Sequence, residues 1–234
     1  MFPAILRSAR VLIVTAHPDD ESYTAAGTIH AIHKHGGKLH LVCATRGERG
    51  SSHVAKPLTQ SQLGTRRAQE LKKACRVLGI SSHTLLRLPD GKVMAHQDRF
   101  LSHVQRAAKT FKPDFIMTFG PDGVTGHHDH VAAGQVSLRV AQTLDVPLLL
   151  FTFPPRVAKQ AQTFLRNRRR ASTYLNTIKY QAPTTTISIS RSVKMKALRC
   201  HASQMDRGQA FTGFPAFAVK ELLQRECFVL IRPK

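Results

Sequence analysis

The string AHPDDE, residues 16–21, sets one imidazole and three carboxylates in five successive positions, His17 to Glu21, with only Pro18 between them. Such groups repel one another and lose solvation when buried, so a cation is a sound physical reason to crowd them. His17 and Asp20 are three apart, and one turn of chain aims both at a single point. Neutral imidazole with carboxylate suits a zinc-like divalent ion. Asp19 then lies beside the ion without being needed as a ligand, placed to take a proton from water. The ordinary alternative is an acidic first helical turn favoured by the helix dipole. A second string, GPDGVTGHHDHVAAG at 120–134, carries His127, His128, Asp129 and His130 at the mouth of a predicted helix. His127 and His130 face one way and His128 another. This cluster supplies the third ligand that a tetrahedral catalytic site lacks after His17 and Asp20, with water in the open position. Thirteen His are present, and His30, His33, His35 and His40 read as surface scatter. Two clusters, each directly after an apolar run, are harder to assign to accident.

Those apolar runs alternate with helical patterns. RVLIVTA (10–16) reads as a buried strand and KLHLVCAT (38–45) as a second, with a helix over 23–35 between them that Gly36-Gly37 stops. A Gly/Ser-rich loop from Gly47 to about Thr59 precedes a helix over 60–79, where Leu71, Ala74, Cys75 and Leu78 share a face and Gly79 ends the pattern. Strands over 83–88, 114–119 and 147–153 and helices over 96–110 and 129–144 continue the alternation. The last third holds a strand over 184–190, a helix over 191–204 and a closing strand over 227–231. The pattern predicts an α/β fold: a Rossmann-like, doubly wound, mostly parallel sheet with helices on both faces. Chemistry then belongs at the carboxyl ends of the strands. One domain spans 1–234, less regular and more basic from about 155.

Composition sets the bounds. The 234 residues weigh 26.0 kDa, and a 42% hydrophobic fraction is enough for a sizeable core. No apolar run reaches the length needed to cross a bilayer, and two Arg interrupt the first apolar stretch, so neither a membrane span nor a signal peptide is expected. A cytoplasmic location is the expectation. The formal charge is +21. Residues 1–145 hold 19 basic and 11 acidic side chains, against 16 and 3 in 146–234, so the acids concentrate where the motifs lie. Such a field favours anionic partners without choosing among them. Arg166 to Arg170 is the strongest basic run. Without Trp, and with only three Tyr, the chain offers no stacking platform for single-stranded nucleic acid. Cys43, Cys75, Cys200 and Cys227 form no CxxC pair and read as reduced thiols.

AHPDDE after the first strand, with GHxDH opening a later helix, resembles the zinc-dependent N-acetylglucosamine deacetylases of the PIG-L/LmbE-like family. TRGERG (45–50), RRAQELKKACRVLGI (66–80), LPDG (88–91) and KALRCHASQ (196–204) extend the resemblance over most of the chain. The resemblance implies His17, Asp20 and His130 as ligands of Zn2+, or of another divalent ion such as Fe2+. It implies Asp19 as general base, and His127, oriented by Asp129, as acid and oxyanion partner. His128 stands where the family often has Pro. Amide hydrolysis asks for those parts: an activated water, a polarised carbonyl and a proton for the leaving amine.

On the 60–79 helix Arg67 shares the inward stripe with Leu63 and Leu71, where a guanidinium needs an anion or a polyhydroxyl ligand. The resemblance places a sugar-binding Arg there; the structural alternative is an ion pair with Glu48 or Asp90. Glu48 itself either buttresses the site or binds substrate. His201 and Gln204 either approach the cleft or belong to core or surface. The expected activity is removal of acetyl from an N-acetylglucosamine-type sugar or glycoconjugate, with an anionic group on the substrate suiting the charge and a homo-oligomer as the expected assembly. The alternatives are an amidase acting on another acylated amine, and a basic nucleic-acid-binding protein with a vestigial metal site.

Overall fold

The computed structural model describes residues 2–54, 56–158 and 181–232. The basic run at 166–170 lies outside them. The strands are β1 (Arg10–Thr15), β2 (Lys38–Cys43), β3 (Ser82–Leu85), β4 (Phe115–Phe119), β5 (Leu148–Thr152), β6 (Thr185–Ser188) and β7 (Arg225–Ile231). They form one sheet in the order β3-β2-β1-β4-β5-β7-β6. The first five run parallel, and β7 pairs antiparallel with both β5 and β6. The parallel, doubly wound expectation therefore holds, with one reversed strand. A central parallel strand is covered on both faces, which is why Val11 to Thr15 is buried without alternation.

The helices are α1 (Asp20–Lys34), α2 (Gln60–Leu78), α3 (Gln97–Phe111), α4 (His128–Leu144), α5 (Arg191–Cys200) and the short α6 (Ala216–Leu222). The chain moves outward from β1 through β2 to β3, then returns to pair β4 against the other side of β1. Right-handed crossovers in opposite directions put their helices on opposite faces. Accordingly α1, α2 and α5 pack on one another, while α3 packs on α4. The reversal makes the gap between the carboxyl ends of β1 and β4 the topological switch point. AHPDDE follows β1 and GHHDH follows β4, so both motifs reach that crevice.

Several boundaries differ from the sequence expectation. Helix α1 starts at Asp20, inside the acidic motif, because Asp19 caps it with its main-chain carbonyl, which accepts from Ser22 and Tyr23 N–H at 2.9 Å each. The 191–204 helix stops at Cys200, and a 3-10 turn, Ala202–Gln204, completes it. Helix α6 has no counterpart in the periodicity reading; its seven residues are too few to show a period. Helix α2 begins with a capping box between Thr59 and Gln62 and ends, as expected, on left-handed Gly79.

Helix α1 is broken at Ala25, whose φ of −145° and ψ of 15° are not helical. The break frees two amides inside the protein. The Glu226 carboxylate on β7 accepts both, from Gly27 N at 3.0 Å and Thr28 N at 2.8 Å. Lys194 on α5 neutralises it at 3.0 Å, and both charged side chains are buried. Gly27 lets Ile189 pack against the break, since a Cβ there would lie 2.3 Å from the Ile189 side chain. Removing one partner of such a pair leaves an uncompensated buried charge, so Glu226→Ala is expected to cost about 3–5 kcal/mol. Urea unfolding measures it; an unchanged midpoint would show that the pair does not hold the two halves of α1.

Candidate metal centre and active site

His17 is oriented from behind. Its Nε2 lies 3.2 Å from Asp90 Oδ1 and 3.3 Å from Asp129 Oδ2. A ring that donates Nε2–H to these carboxylates turns an unprotonated Nδ1 inward. His130 is set the opposite way round: its Nδ1 lies 3.0 Å from the Gly123 carbonyl, and its ring stacks on Phe119 at 4.0 Å. Its Nε2 therefore turns inward. The two inner nitrogens stand 3.2 Å apart, and Asp20 Oδ1 is 3.2 Å from His130 Nε2. His17 Nδ1 also lies 3.7 Å from the other carboxylate oxygen, Asp20 Oδ2. Asp20 Oδ2 is committed to the Ala16 and His17 amides at 3.0 and 2.8 Å, which leaves Oδ1 for the cluster.

These separations fit a cation. Donors about 2.0–2.1 Å from a tetrahedral ion stand about 3.3 Å from one another. With both outer nitrogens engaged by acceptors, neutral rings would turn their lone pairs toward each other, and a divalent ion held between them would satisfy both. Outer hydrogen bonds of this kind commonly orient metal-binding histidines. The structure also brings donor atoms of His17, His127 and His130 within 4.8 Å of one another, and likewise those of His17, Asp90 and Asp129. The second group lies on the outer side of the His17 ring. There Asp129 already accepts the Gly91 and Val93 amides at 2.7 and 3.0 Å, and Asp90 accepts the Arg49 amide at 2.7 Å.

The electrostatics agree with a site that favours positive charge. Burial opposes ionisation of His17, yet the carboxylates of Asp129 and Asp90 outweigh it and raise its pKa to about 10. Burial also opposes charge on Asp20, but His130 and His17 hold its carboxyl well below the usual carboxylate range. Asp19 goes the other way: burial, resisted by Arg67 and reinforced by Asp20, pushes it up to about 6. Burial and then the neighbouring His17 and His130 rings hold His127 down to about 4.

Arg67 is buried, and its anion is Asp19 rather than Glu48 or Asp90. Nη2 lies 3.2 Å from Asp19 Oδ2, while the guanidinium donates to the Gly47 carbonyl at 2.9 Å and the Pro18 carbonyl at 2.5 Å. Its Nε has no partner among the described residues. The TRGERG loop makes the slot for it. Gly47 has φ of 62°, and a Cβ there would sit 2.4 Å from the guanidinium carbon. Glu48 does not reach the cavity wall. Its Oε1 accepts the Asp90 amide at 3.1 Å, which makes it a buttress of the loop that carries Asp90.

One contact differs from the one implied by the resemblance. The Asp129 carboxylate does not touch the His127 side chain. It holds His17 and the Gly91 and Val93 amides, because the first turn of α4 points it inward toward the loop after β3. Asp129 meets His127 through its main chain: its N–H donates to His127 Nδ1 at 3.2 Å, with His127 as N-cap of α4. His127 thus keeps its proton on Nε2, on the side of the ring away from the helix cap. Asp90, in the LPDG stretch after β3, also holds His17, a contact the sequence reading does not reach; β3 lies two strands from β1, and a carboxylate past the carboxyl end of a parallel strand is the available signal.

His17, Asp19, Asp20, Arg67, His127 and His130 line one cavity of about 960 Å³. Tyr23, Phe153, Phe211 and Phe214 also stand on its wall, Tyr23 edge-on to Phe211 at 5.0 Å, and Gln204 reaches it. His201 does not; it is buried behind the site. Among the described residues no helix is long and apolar enough to cross a membrane.

Sheet and site together define an open α/β protein with a candidate divalent-metal centre at its switch point. The sequence profile of the PIG-L family, described as GlcNAc-PI de-N-acetylase, matches residues 12–141, more than half of the chain, and the protein belongs to this family. A 1D-myo-inositol 2-acetamido-2-deoxy-alpha-D-glucopyranoside deacetylase of Streptomyces scabiei is 26% identical, over 95% of this chain and 84% of its own length. A probable N-acetyl-alpha-D-glucosaminyl L-malate deacetylase 2 of Bacillus anthracis is 34% identical, over 57% of this chain and 60% of its own. Among solved structures, N,N'-diacetylchitobiose deacetylase from Pyrococcus horikoshii has a TM-score of 0.67 at 18% identity, covering 100% of this chain and 88% of that one. GalB, a 4-carboxy-2-hydroxymuconate hydratase from Pseudomonas putida, has a TM-score of 0.68 at 21% identity, covering 97% of each chain. The fold is common to both, so the reaction must be argued from the site.

Proposed function

We propose that this protein is a metal-dependent hydrolase that removes the N-acetyl group from an N-acetylglucosamine-type sugar or glycoconjugate. The observation that carries the reading is the inward-facing triangle of His17 Nδ1, Asp20 Oδ1 and His130 Nε2, with the Asp19 carboxylate beside it on the wall of the same cavity. Two nitrogens and one oxygen suit zinc, with iron(II) the other candidate. When bound, such an ion polarises an amide carbonyl and makes a water more acidic.

The chain's own groups supply the rest. Asp19 takes the proton of the attacking water as the carbon–oxygen bond forms. His127 Nε2–H points into the cavity and donates to the developing oxyanion, its neutral tautomer fixed by the cap hydrogen bond at Nδ1. When the carbon–nitrogen bond breaks, the proton held by Asp19 passes to the departing amine, leaving acetate and a free amino sugar. Arg67 keeps Asp19 in place and presents its edge to the sugar. The relatives named for N-acetylglucosaminyl substrates support the substrate class.

The test is acetate and primary-amine release by the metal-loaded protein over a panel of N-acetylglucosamine glycosides with neutral, carboxylated and phosphorylated aglycones. Equimolar acetate and amine are expected, abolished by a chelator and restored by zinc or iron(II). Metal-loaded, folded protein that releases neither from any member would overturn the reading. An anionic aglycone is expected to be preferred, with the preference weakening as salt rises; equal turnover of neutral and anionic substrates at every salt concentration would remove that part.

A further inference from the structure

Asp19 has φ of 113° and ψ of −24°, a left-handed conformation in which a side chain is strained. Strain of this kind persists only where the surroundings over-determine it. Here the surroundings are a buried acid–imidazole pair. Glu21 Oε2 accepts the Asp19 N–H at 3.2 Å. Its Oε1 accepts the Ser22 hydroxyl at 2.6 Å and lies 2.8 Å from His201 Nε2. Glu21 and His201 are each 0% exposed, so the pair carries the full desolvation cost of a buried polar contact. Capping α1 does not account for it, because the Asp19 carbonyl already accepts the Ser22 and Tyr23 amides.

His201 comes from 180 residues further along the chain and is itself anchored. Two residues on, Ser203 donates its N–H and hydroxyl to Glu70 on α2 at 3.0 and 2.6 Å. Glu70 lies three positions beyond Arg67, whose guanidinium grips the Asp19 carboxylate. Asp19 is thus held at its amide by Glu21 and at its carboxylate by Arg67, and the Ser203–Glu70 link ties the two holds together.

We infer that Glu21 and His201 are positioning residues: the buried pair fixes the left-handed backbone of Asp19 and through it aims the Asp19 carboxylate into the cavity. Neither touches the cavity wall, so both act through Asp19. Their bearing on turnover rests on the deacetylase reading, whereas their hold on the backbone does not.

The experiment has two arms. In metal-free protein, a crystal structure of Glu21→Ala reports position 19 directly: Asp19 is expected to leave the left-handed region and part from Arg67. In metal-loaded protein, Glu21→Ala is expected to lower kcat about a hundredfold with KM within about threefold, since displacing a catalytic group by about 1 Å costs that much. Metal content per chain should not change. Glu21→Gln keeps an oxygen for the Asp19 amide and should recover most of kcat, which a loss of packing alone would not require. His201→Gln serves as the second variant if Glu21→Ala does not fold, with the same displacement and a smaller loss of kcat. An unmoved Asp19, or a kcat unchanged in a variant where Asp19 has moved, overturns the inference. If the wild-type chain releases no acetate while Asp19 still shifts, the deacetylase reading fails and the hold on Asp19 stands.

Discussion

Asp19→Asn is expected to leave the metal bound and to lower kcat for acetate release by about 10²–10⁴-fold, the range that a positioned general base contributes. The substitution isolates the proton-accepting role for three reasons. Asn bears a left-handed backbone about as readily as Asp, so the substitution adds no strain at the φ of 113°. Its side-chain oxygen can still accept from Arg67 Nη2, which lies 3.2 Å from the Asp19 carboxylate. And Asp19 is not one of the three groups gathered around His130 Nε2, where His17 Nδ1 and Asp20 Oδ1 each lie 3.2 Å away, so the proposed ion keeps its ligands. What the variant loses is basicity. Metal analysis beside steady-state kinetics checks both halves. Turnover within tenfold of wild type would mean that another group accepts the proton. The rival reading, a basic nucleic-acid-binding protein with a vestigial metal site, predicts no effect of this substitution on any activity.

The sequence was informative where a residue's chemistry conflicted with its surroundings. Charged groups directly after an apolar strand run are costly, and AHPDDE and GHHDH could be read for that reason. The alternation of β-branched runs with helical stripes carried the sheet, because parallel central strands are apolar without interruption, as Val11 to Thr15 shows. What could not be read is information held in long-range pairing. Nothing local marks β7 as antiparallel, since a CFVLI run fits either direction. The inward stripe placed Arg67 correctly, but its partner depended on how far the Pro18–Asp19 turn projects, and the anion proved to be Asp19. Glu21 shows the limit most clearly. It sits inside the most informative motif, yet its partner His201 lies 180 residues away, and the Asp19 backbone it holds has no sequence signature. His201 looked equally suited to cleft, core or surface, because its neighbours Ala197 and Leu198 belong to the core while Gln204 reaches the cavity.

The second large effect concerns the ion itself, and its graded form separates ligands from the groups that orient them. His130→Ala and Asp20→Ala are each expected to reduce bound metal from about one ion per chain to background, and acetate release with it, because three protein ligands are the least a catalytic site of this kind uses. Asp129→Asn should do less: about 10–100-fold weaker metal binding, the usual cost of losing an orienting partner. The Asp129 carboxylate accepts from Gly91 N, Val93 N and the His17 ring together. An amide offers one acceptor oxygen, and its NH2 group must face one of those donors, so the loop after β3 and the His17 ring cannot both keep their places. The order of loss, complete for His130 and Asp20 and partial for Asp129, follows from which atoms face inward. Competition titration of the apo variants against a chromogenic chelator measures it. If Asp129→Asn lost metal as completely as His130→Ala, the ion would sit on the outer side of the His17 ring, between Asp90 and Asp129, and the ligand set proposed here would be wrong.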